Sequence, residues 1–206
     1  MDDRSPKARD SALVSRDRLY IGALEAFAER GFHGASMRDI ASRSGMALGN
    51  LYNHTSSKAE LLVQLLKRAT YDHLADTEWA VSAAGPDPRD QFVAAVRAYV
   101  RFILDRPLES MIAHSEVRYL GEDDRKRLVI ARDRLEAIFG NIVHEGVRTG
   151  VFTTPHPDEV TKAVLPMCSG IANWYRPDGP LSKDEVCERF ATYAAAVVQP
   201  VARSAS

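Results

Sequence analysis

The sequence predicts an all-α fold, a small N-terminal three-helix unit followed by a larger helical body, and three observations carry that prediction. Apolar residues recur at helical spacing through most of the 206 residues, and no segment alternates with the two-residue period of a strand. Serine-led capping patterns open three of the helical stretches: Ser36 with Asp39, Ser57 with Glu60, and Ser182 with Glu185. Glycine and proline separate one stretch from the next, at Gly31, Gly85-Pro86, Pro107, Gly121, Gly150 and Gly179-Pro180. No internal repeat is present, and the length suits one small unit plus one larger one.

Taken in order, residues 1–10 are polar and charged and read as a flexible arm; residues 11–57 form the small unit and residues 58–206 the body. The first helix spans about 11–30, with Leu19, Ala23, Ala26 and Phe27 on one face and Gly31 as its C′ residue. Ser36 caps a second helix whose inward residues are Ile40 and Ala41, and Ser44-Gly45 breaks it where a sharp turn needs glycine. A short third helix, 46–54, follows with Leu51 as its buried contact. The fourth helix, 58–83, carries Leu61, Leu62, Leu65 and Leu66 and is too long for the small unit alone, so it continues into the body. Asp87-Pro88 caps and starts a helix bearing Phe92, Val96, Tyr99, Val100 and Ile103, which stops before Arg106-Pro107. The next holds Met111, Ile112, His114, Val117 and Tyr119, and a long one follows over 122–149, acidic at its start and with Arg148 near its end. Pro166 falls inside the penultimate helix and should kink it, and the last helix runs from Ser182 to about Gln199.

Residues 36–58 make a helix-turn-helix, in which the second short helix reads base edges in the major groove. That helix offers Ala47, Leu48, Gly49, Asn50, Tyr52, Asn53 and His54, and no acidic residue. Asparagine pairs with adenine through two bonds, and small apolar groups meet the thymine methyl. Gly49 costs a helix about 1 kcal/mol relative to Ala, which makes sense where a backbone must approach something closely. Ser36, Arg38, Tyr52, His54 and Lys58 lie where phosphate contacts would fix the register. A minor-groove role for Arg4, Lys7 and Arg9 of the arm is the lesser reading.

The order and spacing of Gly31-Phe32-His33-Gly34-Ala35-Ser36-Met37-Arg38-Asp39-Ile40-Ala41, then Gly45, Leu51-Tyr52, His54, Ser57-Lys58 and Leu61-Leu62, resemble the DNA-binding domain of TetR-family repressors over about the first third of the chain. The family usually has Phe after that His, where Thr55 stands here; the change thins the small core or passes its volume to a neighbour such as Phe32. The resemblance implies a homodimeric repressor of double-stranded operator DNA, released by a small-molecule effector bound in the body. It also implies that the last two helices, rich in small residues, meet their twofold mates in a four-helix bundle at Ala163, Gly170, Ala191 and Ala195. The alternative for those residues is a tight internal helix pair. Glu145-Gly146-Val147, Gly150-Val151-Phe152 and the run from Trp174 to Pro180 are similar to TetR-like regulators of acyl-CoA, fatty-acid or steroid catabolism.

An acyl-CoA or lipid-derived effector would sit in an apolar pocket lined by Phe102, Met111 and Phe139, with Trp174 beside it and His114 and Arg118 as polar groups. The bland reading gives the apolar three to plain core and pairs Arg118 with Glu116 or Glu122. A multidrug-type sensor of cationic or aromatic ligands would instead need a buried carboxylate, Glu109 or Glu116. An enzyme is disfavoured: His114, Glu116, Arg118, Asp123-Asp124 and Cys168 have no neighbours that make a nucleophile–base pair, and the histidines, His73 among them, are scattered singly as surface or satisfied groups. Cys168 and Cys187 suggest no disulfide framework, no metal site is expected and no cofactor is implied. Residues 1–68 carry 11 Lys/Arg against 8 Asp/Glu, and residues 69–206 carry 16 against 20, a weakly basic reading head on an acidic body. With no signal peptide and no membrane-length apolar run, the expected location is the cytoplasm.

Overall fold

The computed structural model describes residues 6–199, with side chains from Val14 onward except that of His114. Among the described residues the chain is helical: α1 Pro6–Gly34, α2 Met37–Arg43, α3 Leu48–Leu51, α4 Lys58–Ala83, α5 Pro88–Asp105, α6 Pro107–Ser115, a single 3₁₀ turn Val117–Tyr119, α7 Glu122–Arg148, α8 Pro157–Ser169, α9 Ile171–Trp174 and α10 Lys183–Val198. No helix among the described residues is long and apolar enough to cross a membrane.

Most boundaries follow local chemistry. Ser36 and Asp39 cap α2 reciprocally, Ser182 and Glu185 do the same for α10, and Asp87 caps α5 with Pro88 in its first turn. Gly31 takes φ 65° and ψ 172° inside the α1 span, so the regular helix ends there as its sequence requires. Four details differ from the sequence expectation. Helix α1 already runs from Pro6, so residues 6–10 are not an arm; Arg4 and the side chains of Lys7 and Arg9 lie outside the described residues. Helix α3 is one turn rather than 46–54, since Ala47 is extended and Asn53 and His54 close turns back to Asn50 and Leu51; glycine and asparagine hold a helix weakly. Ser57 accepts from the Glu60 amide, but the Glu60 carboxylate turns to the Ser56 amide and hydroxyl, at 2.7 and 2.6 Å. The penultimate helix is divided at Gly170, just after Pro166, into α8 and α9.

Contacts divide the chain into two compact units: one runs to Ala69 and takes in Leu108–Lys126, and the other holds Thr70–Pro107 and everything from Arg127 on. In the first unit Leu19, Ala23 and Phe27 of α1 pack with Ile40, Leu51, Leu61 and Leu62, all buried. Helix α2 ends very close to α1, because a Cβ on Gly22 would lie 2.5 Å from the Ser44 hydroxyl and 2.7 Å from its amide nitrogen. Thr55 is buried, and its hydroxyl donates to the Ser57 carbonyl at 3.0 Å, so its polar atom is satisfied. Phe32 lies against Phe27 of the small core at 5.9 Å on one side and stacks on Tyr119 at 5.4 Å. The buried carboxylate of Glu116 accepts the Phe32 amide at 3.1 Å, and Lys67 pairs with Asp124 at 2.8 Å. These contacts draw residues 108–126 into the first unit, where the sequence alone assigns them to the body.

In the second unit α5 lies along α10, and Phe92, Val96, Val100, Phe139, Val143, Val164, Ile171 and Val186 form the core. Gly146 leaves room for the Phe152 ring, which a Cβ there would meet at 2.0 Å.

Candidate functional site

The exposed face of the first unit is built on α2 and α3. The Ser36 hydroxyl accepts the Asp39 amide at 3.1 Å and donates to the Asp39 carboxylate at 2.6 Å, so it is engaged in the cap. Hydrogen bonds from Ser36, with Arg30 and Arg43 nearby, hold the Asp39 carboxyl below its usual range, so the cap stays intact near neutrality. Leu51 pins α3 into the core, which turns Ala47, Gly49, Asn50, Tyr52 and Asn53 outward and leaves Leu48 and His54 half-buried. The Asn53 amide reaches the Asn50 side chain at 3.5 Å, so the two amides stand side by side. A Cβ on Gly49 would meet nothing within 4 Å. The absence of a side chain there is therefore not required by internal packing.

Arg38 is exposed on the same pair of helices. Lys58 is half-buried: its ammonium donates to the carbonyls of Ala35 at 2.7 Å and His33 at 3.4 Å and lies 4.6 Å from the Phe32 ring centre. Two of its three hydrogens are thus directed at the protein, which fixes the charge beside the turn that precedes α2.

The expected effector residues are not gathered in one place within either unit. Met111 and Arg118 belong to the first unit; Phe102, Phe139 and Trp174 belong to the second. Met111 is exposed, and Arg118 lies over the Tyr119 ring at 4.9 Å rather than in an apolar wall. The side chain of His114 is outside the described residues. Glu116, one of the carboxylates a cation pocket would need, is occupied by the Phe32 amide. Trp174 is exposed and stacks on Phe190 at 6.0 Å.

Phe102 and Phe139 do share one aromatic cluster, through two residues that sequence reasoning passed over. His73 lies flat on Phe102, with ring centres 4.1 Å apart and an interplanar angle of 2°, and tilts against Tyr99 at 4.5 Å. Tyr99 in turn meets Phe139 edge-on at 6.0 Å. His73 Nε2 is buried and has no hydrogen-bond partner among the described residues. Burial, with Arg106 close by, pushes the imidazole pKa down to about 3, so the ring is neutral. Burial likewise pushes the Tyr99 hydroxyl and the Cys168 thiol up to about 12. His73 was read as a scattered surface or satisfied histidine and is neither. Its signal was the register Leu62, Leu66, Ala69, His73, Thr77, one inward helical face that a histidine continues.

An open groove of about 700 Å³ runs beside this cluster, lined by Ala80, Ala83, Ala94 and Ala98, with exposed Trp79 and with Phe102 as the effector candidate that borders it. The arginines along it are paired across helices: Arg97 with Glu188 at 2.5 Å, Arg101 with Asp184, and Arg106 with Asp72 at 2.5 Å.

Of the expected interface residues, Ala163 is exposed and Gly170 and Ala195 are half-buried, while Ala191 is only 4% exposed and belongs to the internal helix pair of its own subunit. Tyr193 and Trp174 form an exposed aromatic strip with Phe190 between them. Among the described residues no group of acidic, histidine and cysteine side chains is placed to hold a metal.

Residues 20–65 match the model of the bacterial regulatory proteins of the tetR family, and residues 85–198, over half of the chain, match that of the tetracyclin repressor-like C-terminal domain. The transcriptional repressor KstR2 of Rhodococcus jostii is 29% identical over 189 residues, 90% of this chain and 92% of that protein. Among solved structures, the ketosteroid transcriptional regulator KstR2 of Mycobacterium tuberculosis superposes with a TM-score of 0.82 at 22% identity, covering 90% of this chain and 95% of that one. AibR in complex with isovaleryl coenzyme A and operator DNA does so with a TM-score of 0.77 at 20% identity, covering 91% and 100%. The helix-turn-helix head and the helical body are those of one family, and the chain belongs to it: it is a TetR-family transcriptional regulator.

Proposed function

We propose that the chain works in the cytoplasm as a homodimeric repressor. Two copies of α3 enter successive major grooves of a double-stranded operator, and a small-molecule effector bound by the second unit favours a conformation with lower operator affinity. The observation that carries this reading is the outward face of residues 47–54 on a capped helix-turn-helix, with open space at Gly49 where a DNA backbone or base edge can close in. Ala47, Leu48, Gly49, Asn50 and Asn53 read bases. Ser36, Arg38, Tyr52, His54 and Lys58 hold phosphates, Lys58 with the ammonium hydrogen that its two carbonyl acceptors leave over. The outer faces of α8 and α10, with Ala163, Gly170, Ala195 and the exposed strip of Trp174 and Tyr193, pair with their twofold mates.

The ketosteroid regulator and the isovaleryl coenzyme A complex among its structural neighbours support an acyl-CoA or other lipid-derived effector. The occupied state of Glu116 speaks against a cation sensor. The test is a duplex selected from a random library, followed by release assays with isovaleryl-CoA, octanoyl-CoA, octanoic acid, a 3-ketosteroid and a cationic dye. Release by thioesters or the steroid is expected. Release by the dye alone would make this a multidrug-type sensor, and failure to select any sequence would end the operator reading.

A further inference from the structure

The second unit buries a polar group that its own packing does not use. An apolar ring at position 73 would lie on Phe102 as well as the imidazole does, without leaving an unpartnered nitrogen in the interior. A stability deficit of that kind is retained where a site serves a ligand. The imidazole is also held on two sides, flat on Phe102 and against Tyr99, so the plane of the ring is fixed. Phe102, on which the imidazole lies, also borders the groove, so His73 sits one side chain away from an open space whose floor of alanines suits an apolar chain and whose rim carries Asp76, Arg97, Arg101 and Glu188.

We propose that His73 forms the polar contact to the effector and that the effector presents an uncharged oxygen there, a thioester or ketone carbonyl or a hydroxyl. This rests on the reading of the body as an effector domain. The groups facing His73 decide the ligand's charge. Arg106 is paired with Asp72, while Tyr99, and behind it Cys168, keep their protons far above neutral pH. The imidazole itself stays neutral. A carboxylate brought to this ring would lose its hydration without gaining an uncommitted cation, since Arg106 is held by Asp72, and a quaternary ammonium has neither a hydrogen to give Nε2 nor a lone pair to accept from it. A neutral carbonyl accepts from Nε2–H, and a hydroxyl donates to Nε2 in the other tautomer, with no net charge buried.

The experiment uses the full chain as wild type, His73→Phe and His73→Gln. The probes share an eight-carbon chain: octan-2-one, S-octanoyl-N-acetylcysteamine (an uncharged thioester), octanoic acid and octyltrimethylammonium, read by thermal shift. The neutral carbonyl probes should stabilise the wild type at concentrations at least tenfold below the acid and the ammonium. His73→Phe should need at least tenfold more of the carbonyl probes, with part of that loss recovered in His73→Gln, and its unliganded melting temperature should equal or exceed that of the wild type. Equal probe binding by His73→Phe overturns the proposal. So does a clearly lower melting temperature for unliganded His73→Phe, which would give the nitrogen a structural partner. A wild type that answers only to the charged probes, or to none, overturns it as well. The effector reading falls separately, when none of the release-assay compounds frees operator DNA.

Discussion

Two glycines on the same small unit show how differently one residue type acts. Gly22 sits inside α1 where α2 comes so close that an added Cβ would strike the Ser44 backbone, whereas Gly49 faces open space. Alanine is worth about 1 kcal/mol over glycine inside a helix when nothing obstructs it, and overpacking costs about 1–3 kcal/mol. Gly22→Ala should therefore lower the melting temperature despite its better propensity. Gly49→Ala should leave stability unchanged or raise it and yet weaken operator binding, because the space it fills is the space the DNA needs. An operator affinity untouched by Gly49→Ala would remove α3 from the interface. Two neighbours separate the kinds of contact. Asn50→Ala should relax discrimination at one base pair by about 1–3 kcal/mol, while Tyr52→Ala should weaken binding to every sequence alike; gel-shift titration over a panel of operator mutants reads both. Gly49 stands out in the sequence because glycine is costly inside a helix, and the open space beside it is consistent with that reading. The reason for Gly22 was not legible, since it lies in a helix twenty residues away in the chain and only the fold brings it near.

Elements carry the same contrast between local and non-local causes. Caps at Ser36, Asp87 and Ser182, and the ends at Gly31 and Arg148, were readable because each is fixed by residues within one turn. The docking of residues 108–126 was not, because it depends on Glu116 meeting the Phe32 amide, where Gly31 breaks α1, 84 residues earlier. Glu116 is 6% exposed, and removing it strands that donor. Glu116→Ala should destabilise the first unit by about 1–3 kcal/mol, and Glu116→Gln, which still accepts, should recover most of it in urea unfolding monitored through the Tyr119 region. The effector set failed for a related reason: helical spacing shows which face turns inward but not which inward faces meet, so Phe102 and Phe139 were found without His73 and Tyr99. His73 also makes a pH prediction. Its folded pKa of about 3 lies below the ordinary histidine value of 6.5, so the unfolded chain binds the proton first and stability is lost as pH falls from 6.5 toward 3. Arg106 and the neutral Tyr99 are the groups that face it. Thermal melts of His73→Phe should decline less than those of the wild type between about pH 6.5 and 5.5, above the range where most carboxylates titrate.

At the scale of the molecule, a regulator whose reading helix is a single turn covers few base pairs, so affinity and specificity depend on two heads acting together. The question becomes which exposed apolar surface joins the copies. Two exposed surfaces of the second unit, apart from Trp79 beside the groove, can be set against each other. One is the strip on α9 and α10, where Tyr193 is 52% exposed beside Phe190 and Trp174 and where the small residues Ala195 of α10 and Ala163 of α8 allow close helix approach. The other is Val129 and Ile130 on α7, with Ile130 60% exposed. The first is the broader aromatic surface, and aromatic residues are enriched in the desolvated centres of interfaces, where a few of them dominate binding. Tyr193→Glu should accordingly give a monomer at low micromolar concentration by light scattering, with operator affinity reduced at least a hundredfold and helix content unchanged. Ile130→Glu should remain a dimer with normal DNA binding. The opposite pattern would place the twofold axis at α7, and Ala163, Gly170 and Ala195 would then serve the packing within one subunit, as Ala191 already does.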